Sequence, residues 1–227
     1  MKKNTLCIIP ARSGSSGIKN KNIAKINNKP LIINAILFEK KLNFIRKIIV
    51  STDSKYYKKI CEKYNFQVDK LRPKKLSSKY VKTIDVIKYE LSNLNNKEKA
   101  KIDNILILQP NCPFRKIGDF KKANICLKKG YDTVVTVRSV NDYPGHMLVF
   151  KEKNQVKQFI NSKDPFIPRQ KLPGIFIRAG SMYFFKITNI NKYNGILGKK
   201  IYGIRVKDKY SVNIDNKVDM FLAKNFY

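Results

Sequence analysis

"IIPARSGSSGIKNKN", Ile8–Asn22, begins as the end of an apolar run, Thr5–Ile9, and turns after Pro10 into serine, glycine and cations with no acid among them. A short apolar run closed by a proline and a glycine-rich loop reads as a buried strand. Gly14 and Gly17 adopt conformations that other residues resist and let the backbone come close to a ligand. Backbone N–H groups in such a loop face phosphate oxygens readily, and Arg12, Lys19 and Lys21 add positive charge. The spacing matches neither GxxxxGK[ST] nor GxGxxG, so this is not one of the two commonest nucleotide loops. Taken alone, the stretch also reads as a flexible loop that is basic because the whole chain is basic.

Outward from that loop the chain alternates strand and helix patterns. Thr5–Ile9, Lys47–Ser51, Gln67–Leu71, Asn104–Leu108 and Thr133–Val137 read as strands. Leu31–Lys41, Ser54–Tyr64, Lys82–Leu94 and Gly118–Lys129 read as helices, the third with Ile84, Ile87, Leu91 and Leu94 along one face. Alternation of this kind predicts an α/β fold, Rossmann-like, with three α/β/α layers and a mostly parallel sheet covered on both faces. Ligands bind such sheets at the carboxyl ends of the strands, where the opening loop lies.

The pattern changes after Val137. Met147–Phe150 and Val156–Ile160 read as a hairpin, followed by the loop "DPFIPRQKLPG" and a long apolar run, Ile175–Ile187. Residues 141–178 are therefore read as an excursion within a single domain of residues 1–227, with the protruding hairpin as a dimer contact. Ile201–Val206 returns to strand pattern, and Val218, Phe221 and Leu222 give a short apolar stripe at helical spacing.

Composition narrows the function. No apolar run approaches the length of a bilayer span, and the basic start Met1-Lys2-Lys3 leads into no cleavage-like site, so a cytoplasmic protein with no membrane association is expected. Cys7, Cys61, Cys112 and Cys126 form no CxxC pair and are read as free buried thiols rather than zinc ligands. With His146 as the single histidine, no multi-histidine metal centre can form. The net charge of +32 is compatible with a polyanionic partner. The lysines are spread along the chain, however, and Tyr56, Tyr57 and Tyr64 have helical spacing rather than the look of a stacking platform, so nucleic acid is not the expected partner.

Several ordered motifs together resemble the CMP-sugar synthetases, in particular the acylneuraminate cytidylyltransferases. "IIPARSGSSGIKNKNIAKINNKPLI" (Ile8–Ile32) is similar to their opening signature and "IIVSTDS" (Ile48–Ser54) to their second-strand motif. "LRPKKLSSKYVKTIDVI" (Leu71–Ile87), "ILQPNCPFR" (Ile107–Arg115), "PRQKLPGIFIRAGSMYFF" (Pro168–Phe185) and "YSVNIDNKVDMFLAK" (Tyr210–Lys224) follow in the family's order. The resemblance implies a nucleotidyltransferase fold and a reaction in which CMP passes from CTP to the 2-hydroxyl of a nonulosonic, sialic-type acid, with release of pyrophosphate. It also implies a homodimer and Mg²⁺ as cofactor. A synthetase for another 3-deoxy keto-sugar acid, or a catalytically weakened or inactive homologue that binds nucleotide sugars or polyanions, are the alternatives.

The same resemblance assigns residues. Arg12, Lys21 and Asp215 are the expected catalytic set. The nucleotide is expected against Ala11, Arg12, Gly14, Ser15, Ser16, Gly17, Lys21, Asn22, Arg72, Lys82 and Gln109. The sugar acid is expected against Gln109, Arg115, His146, Arg169, Gln170 and Arg178, since a carboxylate calls for planar guanidinium partners. Asp215 and Asn213 are the expected metal ligands. Departures from the pattern stand at Ser16, where relatives carry a lysine on the triphosphate, and at Lys82, where they carry serine near the cytosine. Two more stand at Asn213, in place of a second acid, and at His146, in place of a lysine near the sugar. Arg178 is one position off the common spacing. A lost charged hydrogen bond at position 16 is worth about 1.5–3 kcal/mol, with Lys19 or Lys82 the expected substitutes.

Overall fold

Thr5–Pro10 alternates its side chains so evenly that both faces of one strand are core. Cys7 and Ile9 pack on one side with Ile32, Ile36, Phe44, Phe120 and Phe184, while Leu6 and Ile8 pack on the other with Ile87, Leu94, Ile105 and Phe185. A strand buried on both faces requires helices above and below it. The computed structural model describes residues 3–15, 17–140, 142–160, 168–171 and 173–226. In chain order its elements are β1 (Thr5–Pro10), β2 (Lys25–Ile26), β3 (Lys29–Pro30), α1 (Leu31–Glu39), β4 (Ile45–Ser51), α2 (Lys55–Lys63), α3 (Thr83–Ser92), α4 (Asn96–Lys99), β5 (Asn104–Ile107), α5 (Ile117–Lys128), β6 (Thr133–Ser139), β7 (Leu148–Glu152), β8 (Gln155–Gln158), β9 (Phe176–Lys186), α6 (Asn189–Tyr193), β10 (Ile201–Arg205) and α7 (Lys217–Asn225).

The main sheet has the order β10-β6-β9-β5-β1-β4. Every pairing in it is parallel except those of β9, which runs antiparallel to both β5 and β6. The expected Rossmann-like α/β architecture is thus present, with the long apolar run Ile175–Ile187 supplying the one reversed strand at the sheet's centre. β7 and β8 pair as a separate hairpin, with Val149 opposite Lys157, on the chain between β6 and β9. The four cysteines are free and buried, as their spacing suggests.

One expectation needs correction and another gains an orientation. Gln67–Leu71 is not a strand: its polar groups bond to α3 instead of extending the sheet beyond β4. Lys70 Nζ donates to Asn93 Oδ1 (3.0 Å) and the Tyr89 hydroxyl donates to the Leu71 carbonyl (3.4 Å). The stripe Val218, Phe221 and Leu222 forms on α7 but faces outward. A capping box between Asn216 and Asp219 fixes where the helix begins, and its inward face is Met220 and Ala223, packed with Ile26, Leu31, Phe114 and Ile214.

Glu39 closes α1 with 7% of its surface exposed. Burial raises its carboxyl from 4.5 to about 7, against the opposing charges of Lys40 and Lys3. Because the folded state holds this proton more tightly than the unfolded chain, Glu39's contribution is most favourable below pH 4.5 and is lost as pH rises through about 7. A shift of this size corresponds to at most about 3 kcal/mol, reduced by water reaching the carboxyl. Glu39→Gln is expected to be about 1–2 kcal/mol more stable than wild type at pH 8 and to lose that advantage near pH 4. Urea unfolding at both pH values checks it, and a pH-independent difference would refute the buried-carboxyl account.

Candidate active site

Three segments meet beyond the carboxyl ends of β1, β4 and β5 and enclose a cleft of about 220 Å³. The opening loop contributes Arg12, Ser15, Lys21 and Asn22. The segment before α3 contributes Arg72, Ser78, Lys79, Val81 and Thr83, and the turn after β5 contributes Gln109 and Asn111. Six of the expected nucleotide residues therefore share one wall system: Arg12, Ser15, Lys21, Asn22, Arg72 and Gln109. Ala11 is fully buried behind the loop, where its N–H donates to the Ser51 carbonyl (2.8 Å) and sets the spacing to β4. Gly14 lies beside the Arg12 guanidinium. Ser16 falls outside the described residues.

Lys82 is placed differently from the expectation. It is exposed at the start of α3 and is not part of the cleft wall, whereas Lys79 is. Ser78, Lys79, Val81 and Thr83 line the cleft while Tyr80 and Lys82 are exposed outside it, the outcome of a turn closed by the Val81 N–H donating to the Ser78 carbonyl (3.3 Å). The cation that sequence reading assigned to 82 is thus supplied at 79.

Arg72 is only 4% exposed yet faces the cleft. Its Nε donates to Ser77 Oγ (3.1 Å) and its Nη1 to Ser51 Oγ (3.4 Å), and Ser51 donates in turn to Glu90 Oε1 (2.5 Å). Burial lowers the guanidinium's proton affinity, opposed chiefly by Asp53 and Glu90. Burial likewise raises Glu90, opposed by the Ser51 hydrogen bond and then by Arg72. The network holds an arginine rigidly in a buried place, and none of its acids lines the cleft itself.

Asn213 and Asp215 lie on extended chain leading into α7, fixed by the Ile214 N–H donating to the Asn111 carbonyl (2.8 Å). Asn111 Nδ2 donates to Asn213 Oδ1 (2.6 Å) and Asp215 Oδ1 (3.3 Å), and Asn213 Nδ2 donates to Asp215 Oδ2 (2.6 Å). Lys21 Nζ donates to Asp215 Oδ1 at 2.8 Å. The opening loop and this late segment are pressed together, since a Cβ on Gly17 would overlap the Asp215 carbonyl oxygen. Asn111 is a site residue that sequence reading passed over between Gln109 and Arg115. One carboxylate with two amide oxygens nearby suits a divalent ion that takes its remaining ligands from substrate phosphates and water. Among the described residues no group of three or more His, Cys, Asp or Glu side chains forms a self-sufficient metal site.

The residues expected at the sugar are spread more widely. Gln109 is on the cleft, with its Oε1 against Gly180. That glycine has φ of +83°, and a Cβ there would sit 3.1 Å from Gln109 Oε1 and 3.2 Å from Cys112 Sγ, so a side chain is excluded twice over. Arg115 turns inward, contrary to the expected carboxylate contact. Its Nη2 donates to the Gln109 carbonyl (2.5 Å), its Nε to the Ser181 carbonyl (3.4 Å), and its plane lies over Phe38. It braces the end of β5 from behind, because Pro113 and the buried Phe114 direct the chain there away from the cleft. His146 is exposed beside Tyr143 in a separate surface hollow with Asp142 and Met147. Arg178 is exposed on β9 opposite Val137, and Arg169 and Gln170 occupy the one-turn segment Arg169–Lys171. His146, Gln170 and Arg178 are not among the residues lining the cleft.

A parallel sheet ending in a basic glycine loop, a buried arginine and a late aspartate defines the class as nucleotide-dependent transferases of the open α/β type. The chain belongs to the cytidylyltransferase family, whose model matches residues 6–219. It is 29% identical over 222 residues to "post-translational flagellin modification protein B" of Campylobacter coli and, again at 29%, to the CMP-N,N'-diacetyllegionaminic acid synthase of Campylobacter jejuni. Each of these alignments covers 96% of this chain and 93% of the relative. It is 27% identical to an N-acylneuraminate cytidylyltransferase of Streptococcus agalactiae over 94% of this chain, which spans about half (51%) of that longer protein. Its fold matches a solved CMP:2-keto-3-deoxy-manno-octonic acid synthetase, a structure complexed with CTP, with a TM-score of 0.68 over 98% of this chain and 99% of that one, at 13% identity. No helix among the described residues is long and apolar enough to cross a membrane.

Proposed function

We propose that this protein transfers CMP from CTP to the 2-hydroxyl of a nonulosonic acid of the sialic or legionaminic type. The observation that carries the reading is the convergence on one cleft of Arg12 and Lys21 from the opening loop with Arg72 from the segment before α3, Asp215 being bonded to Lys21 beside it. The sugar hydroxyl oxygen bonds to the α-phosphorus of CTP as the bond to the α–β bridging oxygen breaks, and pyrophosphate leaves. No enzyme nucleophile is required; the protein positions two anions and offsets charge on the phosphate chain. Asp215, with Asn213 and Asn111 beside it, would hold Mg²⁺. Such an ion would supply charge neutralisation for the triphosphate and the departing pyrophosphate. Lys21 pairs with one oxygen of Asp215 and also lines the cleft, so it would offer its charge to the phosphates from the same place.

The sugar acid would lie toward the excursion. Leu148, Phe150, Val156, Phe159, Phe176 and Ile177 are all exposed there, an apolar surface that supports a homodimer through the hairpin. Arg169, Gln170, Arg178 and His146 belong to the same region and would reach a sugar in the partner's cleft. Pyrophosphate release, followed colorimetrically with CTP, Mg²⁺ and a panel of sugar acids, tests the function. Release is expected only with all three components present and to be fastest with a nonulosonic acid. Release with a different 3-deoxy keto-sugar acid alone would move the substrate. No release across the panel, with CTP still bound, would favour the weakened homologue that the single carboxylate at 213–215 suggests.

A further inference from the structure

We propose that Asp53 is a positioning residue that sets the opening loop in its phosphate-binding shape, acting through Ser13; the proposal rests on the CTP reading above. A carboxylate next to a site for a polyanion is electrostatically unfavourable, so its presence there calls for a compensating role. The geometry supplies one. Asp53 Oδ1 accepts the Ser13 N–H at 2.8 Å and Oδ2 accepts the Ser13 hydroxyl at 2.7 Å, so both oxygens serve a single loop residue. The Ser13 carbonyl in turn accepts from the buried Tyr57 hydroxyl (3.5 Å), which also reaches Asn20 Oδ1 (3.4 Å). Asn22 Nδ2 donates to the Arg12 carbonyl (3.0 Å).

The tethers from Asp53 and Tyr57 run from the exit of β4 and from α2, and neither residue lines the cleft. The N–H groups of Gly14 and Ser15 find no acceptor among the described residues, which leaves them to an incoming anion. Only a carboxylate offers two acceptors in one plane to the N–H and O–H of the same serine; asparagine offers one acceptor and a donor. The short distance from Asp53 to Ser54, whose side chain caps α2 by accepting the Tyr57 N–H, ties the clamp to a rigid helix start.

The test uses the full chain. Calorimetric titration with CTP, and separately with pyrophosphate, is carried out on wild type, Asp53→Asn, Ser13→Ala, Ser13→Thr and the double variant Ser13→Ala/Asp53→Asn. Asp53→Asn and Ser13→Ala are each expected to weaken both ligands about tenfold, the worth of one charge-assisted hydrogen bond. Ser13→Thr restores the affinity, and the double variant loses little more than either single one because the two groups act as a unit. In turnover the loss appears in KM for CTP and leaves KM for the sugar acid unchanged, which a merely structural defect would not do. If Asp53→Asn binds CTP as tightly as wild type or more tightly, charge relief outweighs any clamp and the proposal is overturned. Should Asp53→Asn fail to fold, Ser13→Ala against Ser13→Thr decides the question alone. Wild type that binds pyrophosphate but not CTP, with the same losses in the variants, keeps the clamp and overturns the cytidylyl reading; wild type that binds neither overturns both.

Discussion

Gly17→Ala is expected to lose at least about a hundredfold in turnover and to lower thermal stability by about 1–2 kcal/mol, a few degrees in midpoint for a chain of this size. The obstacle to a side chain at 17 is the carbonyl oxygen of Asp215, a backbone atom that cannot swing aside. A methyl group therefore lifts the opening loop from the late segment and breaks the 2.8 Å contact between Lys21 and Asp215. The loop's N–H groups and its lysine then move relative to the one carboxylate of the site, and displacements of that order are costly in catalysis. Gly14→Ala is the comparison: its Cβ meets only the side-chain tip of Arg12 at 3.3 Å, so it should keep its thermal stability and lose less activity than Gly17→Ala, the loss coming from the shifted guanidinium. Steady-state pyrophosphate release and calorimetric melting of both variants decide the matter. Equal activity for the two would mean that the apposition of residues 17 and 215 has no part in function.

Asp215→Asn is expected to reduce turnover by at least about two powers of ten, roughly 3 kcal/mol of transition-state stabilisation, while leaving the fold nearly as stable as wild type. The asymmetry follows from exposure. The side chain of Asp215 is 57% exposed and its partner Lys21 is a single cation, so the ion pair itself contributes little to folding. Yet Asp215 is the only carboxylate in the group it forms with Asn111 and Asn213, and the Asp219 carboxylate beside it is taken up by the Asp215 and Asn216 N–H groups at the start of α7. Turnover measured across a Mg²⁺ series, beside melting of the unliganded protein, checks both halves. Retained turnover with ordinary Mg²⁺ dependence would remove Asp215 from the chemistry. Lost turnover with a collapsed melting temperature would instead make it a structural residue.

Much of the fold was legible because it rests on periodicity. Two-residue alternation in Thr5–Pro10 and helical spacing at Ile84, Ile87, Leu91 and Leu94 are properties of the local chain, and burial follows from them directly. Gln67–Leu71 shows the limit of the method. Its composition suits a strand, but pairing depends on whether a neighbouring edge is open and in register, and here α3 takes its polar groups. The same limit appears at Val218, Phe221 and Leu222, where spacing identified a helix but could not say which side of it met the core.

At the site, residue type and short-range geometry made the loop's chemistry and the alternate placement of Asn213 and Asp215 legible, whereas Arg12, Lys21, Arg72 and Gln109 were singled out through the family's ordered motifs. Tertiary structure alone decided that Lys79 rather than Lys82 faces the cleft, that Arg115 braces backbone carbonyls, that Asn111 joins Asp215, and that Asp53 grips Ser13. Each of these depends on where an irregular backbone points its side chains and on partners distant in sequence, 40 residues away for Ser13 and Asp53 and 194 for Lys21 and Asp215. Such contacts exist only once the sheet has fixed the separation and register of its strand ends.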